Sequence, residues 1–158
     1  MEQAFVKQAV AAWEQAVKRV TDTFKNLSEE SLYTDIAPGR NRPVYVLGHL
    51  VAVHDRMLPL LDLGPRNWPE LDAAFIRTPD RTVADIPTAA DLLARFEKVN
   101  AQLAEKMGAL TPAQWLEKHA DVSAEDFAKE PHRNRFNVLL GRTNHVAYHH
   151  GQLVWAKK

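Results

Sequence analysis

Between Gln3 and Asn26 the apolar residues Val6, Val10, Trp13, Val17, Val20 and Phe24 recur at alternating intervals of four and three, with charged residues between them. That period is the seam of a long amphipathic helix facing a bundle core. Leu27-Ser28-Glu29-Glu30-Ser31-Leu32 then restarts the pattern: Ser28 is placed as an N-cap, two acids fill the first turn, and Leu27 can staple onto Leu32. A short helix is predicted there. Pro38-Gly39-Arg40-Asn41-Arg42-Pro43 breaks the chain, and Pro43 suits the first turn of a second long helix running to about Leu61.

From Asp62 to Pro87 the chain carries four of its nine prolines (Pro65, Pro69, Pro79, Pro87) with Gly64 and no sustained period, which predicts a long crossover that includes at most a turn of helix. Thr88-Ala89-Ala90-Asp91 is a capping signature with Asp in the usual Glu position. It opens a third long helix with the seam Leu92, Phe96, Val99, Leu103, Met107 and Leu110. Thr111-Pro112-Ala113-Gln114 caps a short helix predicted to reach about His119, and Ala120 to Arg135 reads as a polar loop. A fourth long helix is predicted from near Phe136 to the C-terminus, with Leu139, Val146 and Leu153 on one stripe. No repeat and no alternating strand-length segment interrupts this reading. The pattern predicts an all-α four-helix bundle over residues 1–158, one domain with one long crossover connection and short extra helices.

Composition narrows the function. The chain has 158 residues, with Lys plus Arg and Asp plus Glu at 20 each, so no overall basic field favours nucleic acid or an anionic membrane. There is no cysteine, which removes disulfides, thiolate ligands and thiolate nucleophiles together. Any thiol in its chemistry has to come from outside. Met1 to Lys7 lacks the basic and apolar regions of a signal peptide, and no uninterrupted apolar run approaches about 18 residues, so a soluble cytoplasmic protein is expected.

The chemistry is concentrated in Asn144-His145-Val146-Ala147-Tyr148-His149-His150-Gly151-Gln152. His145 and His149 lie about 40° apart on an ideal helix, with Arg142 and Gln152 on either side and the apolar stripe beyond. Two imidazoles so placed can share a transition-metal ion, although seven histidines supply such a spacing by chance on the order of 0.3 times in a chain of this length. A third donor is offered by His49 in Val46-Leu47-Gly48-His49-Leu50, on the core-facing side of the second helix, where a lone imidazole is hard to satisfy. Gly48 and Gly141 each cost about 1 kcal/mol in a helix interior, and close helix approach beside the histidines is one compensation. Asp55, Asn144 and Gln152 are placed either to orient ligand imidazoles or to bond at the surface, and Arg142 either to steer an anionic group or to carry a surface charge. His54, His119, His132 and His150 are assigned to surface or supporting roles, and the four tryptophans to packing or interfaces.

A long first helix, a Pro-Gly break, Leu47-Gly48-His49-Leu50 early in the second helix and His145-x3-His149-x-Gly151-Gln152 in the last together resemble the DinB/YfiT-like metalloprotein family over essentially the whole chain. The resemblance implies a divalent metal, nickel or zinc, held by His49, His145 and His149. Many relatives have Arg where this chain has His150. It further implies a metal-dependent enzyme, with a thiol S-transferase using a low-molecular-weight thiol on small electrophiles ahead of a metal-dependent hydrolase. A non-catalytic, stress-related helical binding protein is the third reading, and a homodimer is compatible with all three. Three neutral imidazoles leave an ion with open positions, where it can lower the pKa of water or hold an external thiol as thiolate. No residue singles itself out as the general base.

Overall fold

The computed structural model describes residues 2–156; the final two positions of the predicted last helix, Lys157 and Lys158, lie outside the described residues, as does Met1. Four long helices make the frame. Helix α1 spans Glu2–Asn26, and Val10, Trp13, Val17, Val20 and Phe24 of its predicted seam are buried. The short α2, Glu29–Tyr33, begins where Ser28 accepts a hydrogen bond from the Ser31 amide at 3.1 Å. Helix α3, Pro43–Leu60, starts with its proline in the first turn and is apolar on nearly all sides, which fits the most enclosed position in the bundle. The crossover carries α4, Leu71–Phe75, and leads to α5, Ala89–Gly108, capped by Thr88 through the Asp91 amide.

Two differences follow α5. Helix α6 occupies only Pro112–Trp115 and stops well before His119, because the next residues pair with the chain ahead of the last helix. Lys118 and Asn134 form an isolated antiparallel bridge, the His119 amide donates to Arg133 O, and the Arg135 amide donates to Glu117 O at 3.0 Å. The stretch expected to be a loop instead contains α7, Ala124–Lys129, capped by Ser123 through the Asp126 amide at 3.0 Å. Helix α8 then runs Arg135–Leu153, capped by Asn134 and followed by a 3-10 turn over Val154–Ala156. Leu139, Val146 and Leu153 are all buried. Helix α1 packs against α8 and α5, and α3 against α5 and α8, closing a ring of four around one apolar core. No strand occurs among the described residues.

The crossover is fastened to α3 at two places. Asp55, fully buried, accepts from the Asn67 amide and side chain through one oxygen (2.8 and 3.0 Å) and from the Trp68 amide and Arg66 Nε through the other (3.0 and 3.1 Å). Arg66 turns its other two nitrogens onto Asp72 at 2.7 and 2.8 Å. At the opposite end of α3, Asp80 accepts from the Arg42 amide and guanidinium, and Tyr45 donates to Thr78 O at 2.6 Å. Asp55 thus anchors the crossover and makes no contact with a histidine.

His54 also differs from the expectation of a surface or supporting role. It is fully buried between Trp13 and Phe96, donating through Nδ1 to Asn100 Oδ1 at 2.6 Å, while Asn100 donates to Phe96 O. Burial drives its pKa down to about 4. A pKa below the unfolded value of about 6.5 means that the unfolded chain takes up a proton the native one refuses, so stability is present above pH 6.5 and is lost as pH falls toward 4.

Two outcomes are expected. Asp55→Asn puts an amide nitrogen against donors and should cost about 2–4 kcal/mol in urea unfolding, with the m-value unchanged. In unfolding measured between pH 4.5 and 6, His54→Gln should reduce the rise of stability with pH by about 1.4 kcal/mol per pH unit, one proton's worth.

Candidate metal centre

Helices α3 and α8 meet where each turns a polar stripe toward the other. On α8, Arg142, His145, His149 and Gln152 follow one another at intervals of three, four and three; on α3, His49, Val53 and Arg56 follow at four and three. Both spacings keep side chains on one helical face. The three imidazoles are half-buried, and His145 Nε2 lies 3.2 Å from His49 Nε2 and 3.1 Å from His149 Nε2. One ligand atom from each lies within 4.8 Å of the others, a group able to hold a metal ion.

The outer ring nitrogens decide which way the lone pairs point. His49 Nδ1 donates to the Phe75 carbonyl at 2.8 Å, and His149 Nδ1 donates to Gln152 Oε1 at 2.8 Å, with Gln152 Nε2 donating to the Tyr148 hydroxyl. A neutral imidazole protonated on Nδ1 offers a bare lone pair at Nε2, so His49 and His149 both aim lone pairs at His145 Nε2. His145 carries one proton for two acceptors if it is protonated on Nε2, and its Nδ1 is buried without a partner. Without a cation, the cluster is left with opposed lone pairs and an orphaned nitrogen.

A divalent ion at the three Nε2 atoms would resolve the opposition. At the usual metal–nitrogen length of about 2.1 Å, tetrahedral or octahedral donor sets have edges of about 3.0–3.4 Å, the range in which the short imidazole separations fall. Burial first, and then neighbouring positive charge (Arg142 for His49, His49 for His149, and both other imidazoles with Arg142 for His145), hold all three pKa values below the ordinary histidine value, His145 at about 3. The imidazoles are therefore neutral at pH 7, the form that ligates.

A family model described as the DinB superfamily matches residues 12–153. The chain belongs to the DinB superfamily. Among curated proteins no match to the chain is found. The matched span includes α3, the crossover and α8, and so all three histidines of this DinB member.

The other candidates separate by place. Gln152 bonds His149, and Arg142 lines a cavity of about 540 Å³ together with His49, His145 and Arg56. Asn144 is exposed on the far side of α8. His150 donates to Thr23 Oγ1 at 3.1 Å and so joins α8 to α1, His119 accepts from the Asp121 amide, and His132 is exposed. Sequence reasoning missed two members of the site. Phe75 acts through its backbone carbonyl, which no residue identity announces, whereas Arg56 lies seven residues after His49 and was within reach of the helical period.

Gly48 is explained by its surroundings. A Cβ there would sit 2.3–2.5 Å from three atoms of the fully buried Phe75 ring, so glycine is what lets α4 lie against α3 beside His49. Gly141 is different: a Cβ there meets nothing within 4 Å, and close helix approach does not account for it. Gly48→Ala, which by helix propensity alone would stabilise by about 1 kcal/mol, should instead destabilise by about 1–3 kcal/mol in chemical unfolding, because overpacking outweighs propensity.

Proposed function

We propose that His49, His145 and His149 hold a divalent transition metal, nickel or zinc, through their Nε2 atoms, and that the protein is a metal-dependent enzyme of the thiol S-transferase type acting on small electrophiles. The observation that carries this reading is the convergence of three neutral imidazoles, two of them pinned at Nδ1, with His49 and His145 lining a cavity of about 540 Å³. That volume is in the range of small-molecule sites and far exceeds what a closed structural ion needs. When bound, the ion supplies a positive charge that favours the thiolate form of a thiol brought into the cavity.

The protein's own residues do the rest. Phe75 O and Gln152 Oε1 fix two ring orientations, and the helices hold all three donors without loop contributions. Val53, Leu60 and Ile76 in the cavity wall give an apolar surface for the electrophile. In the transfer, the thiol gives its proton to solvent, its sulfur forms a bond to the electrophilic carbon, and the leaving group departs with the electron pair of the broken bond. Asp121 is the one carboxylate lining the cavity among the described residues, and it is exposed. The same ion would lower the pKa of a bound water or of a bound thiol, and since the chain has no cysteine the thiol would be supplied from outside, with hydrolysis kept as the second reading.

Metal analysis should find about one divalent ion per chain in wild type and strong loss in His49→Ala, His145→Ala and His149→Ala, with Gln152→Leu weakening affinity about 10–100-fold. Equal metal content in wild type and the His149→Ala variant would defeat the proposal. A panel of small electrophiles incubated with and without a low-molecular-weight thiol separates transferase from hydrolase: turnover only with thiol is expected, and turnover without it would favour the hydrolase.

A further inference from the structure

The cavity beside the three histidines is lined by three arginines, Arg56, Arg66 and Arg142, and by one carboxylate, Asp121. They are not equivalent. Arg66 is committed to Asp55 and Asp72, and Arg56 is half-exposed with its Nε 3.9 Å from Asp72. These two cations and two carboxylates neutralise one another where the crossover meets α3. Arg142 is left over. It stands one turn before His145 on α8, is half-buried in the cavity wall, and has no hydrogen bond or ion pair to a protein group among the described residues. Burial and the neighbouring Arg56 depress its pKa below the ordinary guanidinium value, with only Asp121 acting the other way.

A guanidinium taken partly out of water without a carboxylate costs free energy unless something else supplies the anion. Its five fixed donors match a planar two-oxygen group. The geometry points to Arg142 as the recognition group for a substrate carboxylate, so that the cavity takes a small monoanionic molecule with its carboxylate at Arg142 and its reactive end toward the three histidines. A single unmatched guanidinium balances one carboxylate, whereas a phosphate dianion would bring surplus charge into a wall that already includes Asp121. The apolar Val53, Leu60 and Ile76 between the charged groups suit a short hydrocarbon chain. This inference rests on the metal-site reading only for which end of the ligand reacts; the anion site itself stands on Arg142.

The test is an NMR titration of isotope-labelled protein with butyrate, its neutral counterpart butyramide and inorganic phosphate, on zinc-loaded and chelator-stripped protein. Butyrate is expected to shift the Arg142 Nε–H and the backbone amides of Ile76 and Ala120 in both forms. The amide shifts should require at least 10-fold more butyrate in Arg142→Gln, with partial recovery in Arg142→Lys, and butyramide should have no effect. Equal response to butyrate and butyramide, no response to either, an unchanged titration in Arg142→Gln, or tighter Arg142-dependent binding of phosphate would each overturn it. Zinc content, measured on the same samples, should be equal in wild type and Arg142→Gln. Wild type that holds no zinc but binds butyrate through Arg142 defeats the metal reading alone; wild type that holds zinc and does not distinguish butyrate from butyramide defeats this one alone.

Discussion

The site depends on the crossover being held against α3. Asp55 gathers four donors from Arg66, Asn67 and Trp68, and Asp80 takes the amide and guanidinium of Arg42, so the segment between is strapped at both ends of one helix. Between the straps, the Phe75 ring fills the space that a side chain at position 48 would need, and the Phe75 carbonyl receives the His49 Nδ1 proton. A buried carboxylate with every lone pair engaged is an expensive group to place, and its partners here are mostly backbone and side-chain donors of one short stretch. That arrangement converts an irregular connection into a rigid part of the site. The orientation of His49 is thereby set by residues 26 positions away in sequence and not by its own helix alone.

The remaining polar groups divide into satisfied and unsatisfied ones. Asp55, Asp72, Asp80, Arg42 and Arg66 are fully engaged and lie along the straps. Among the described residues His145 Nδ1 has no partner, the Nε2 lone pairs of His49 and His149 both face His145 Nε2, and the Arg142 guanidinium has no ion pair. The His145 and Arg142 groups lie at one cavity, whereas the unpartnered ring nitrogens of Trp13 and Trp115 and Nε of Arg135 lie away from it. Natural folds tolerate such local violations where a ligand completes them, and here the unsatisfied polar groups of the cavity stand beside three imidazoles able to hold a metal ion. His54 has an unpartnered Nε2 as well, but it sits in the core between Trp13 and Phe96 with no opening beside it, and its neutrality is a matter of stability.

Most of the frame was legible in the sequence, because helical periodicity is a strong signal when every seam residue is apolar. Val10 to Phe24 on α1 and Leu92 to Met107 on α5 are buried in the order their spacing predicts, and the Ser28, Thr88 and Thr111 caps all form. The same logic applied to Ser123-Ala124-Glu125-Asp126 would have found α7, which was passed over because its helix has no buried residue and so no apolar period to draw attention. The end of α6 was beyond local reasoning, since the pairing of Lys118 with Asn134 is a tertiary contact. The three histidines came together as their helical faces predicted. Asp55 did not join them: one residue after His54 it points to the crossover, and nothing in its neighbours revealed which of two flanking structures would claim it. His54 and Asn100 form a buried pair that composition alone would assign to the surface.

The division of labour within the cavity has a mechanical basis. His49, Val53 and Arg56 on α3 and Arg142, His145, His149 and Gln152 on α8 stand on two packed helices, so their backbones are placed by the core, while the ring orientation of His49 also depends on the crossover. Ile76, Arg66, Ala120 and Asp121 come from the connections and form the facing wall. Reactive geometry has tolerances of a few tenths of an ångström and belongs on rigid elements, whereas the shape of a substrate envelope can be altered by loops without disturbing it. Substitution in the two connections should therefore change the shape of the cavity more readily than the placement of the three imidazoles. The single exception is Phe75, the one crossover residue whose backbone bonds a histidine, and Gly48 leaves no free volume for it to move.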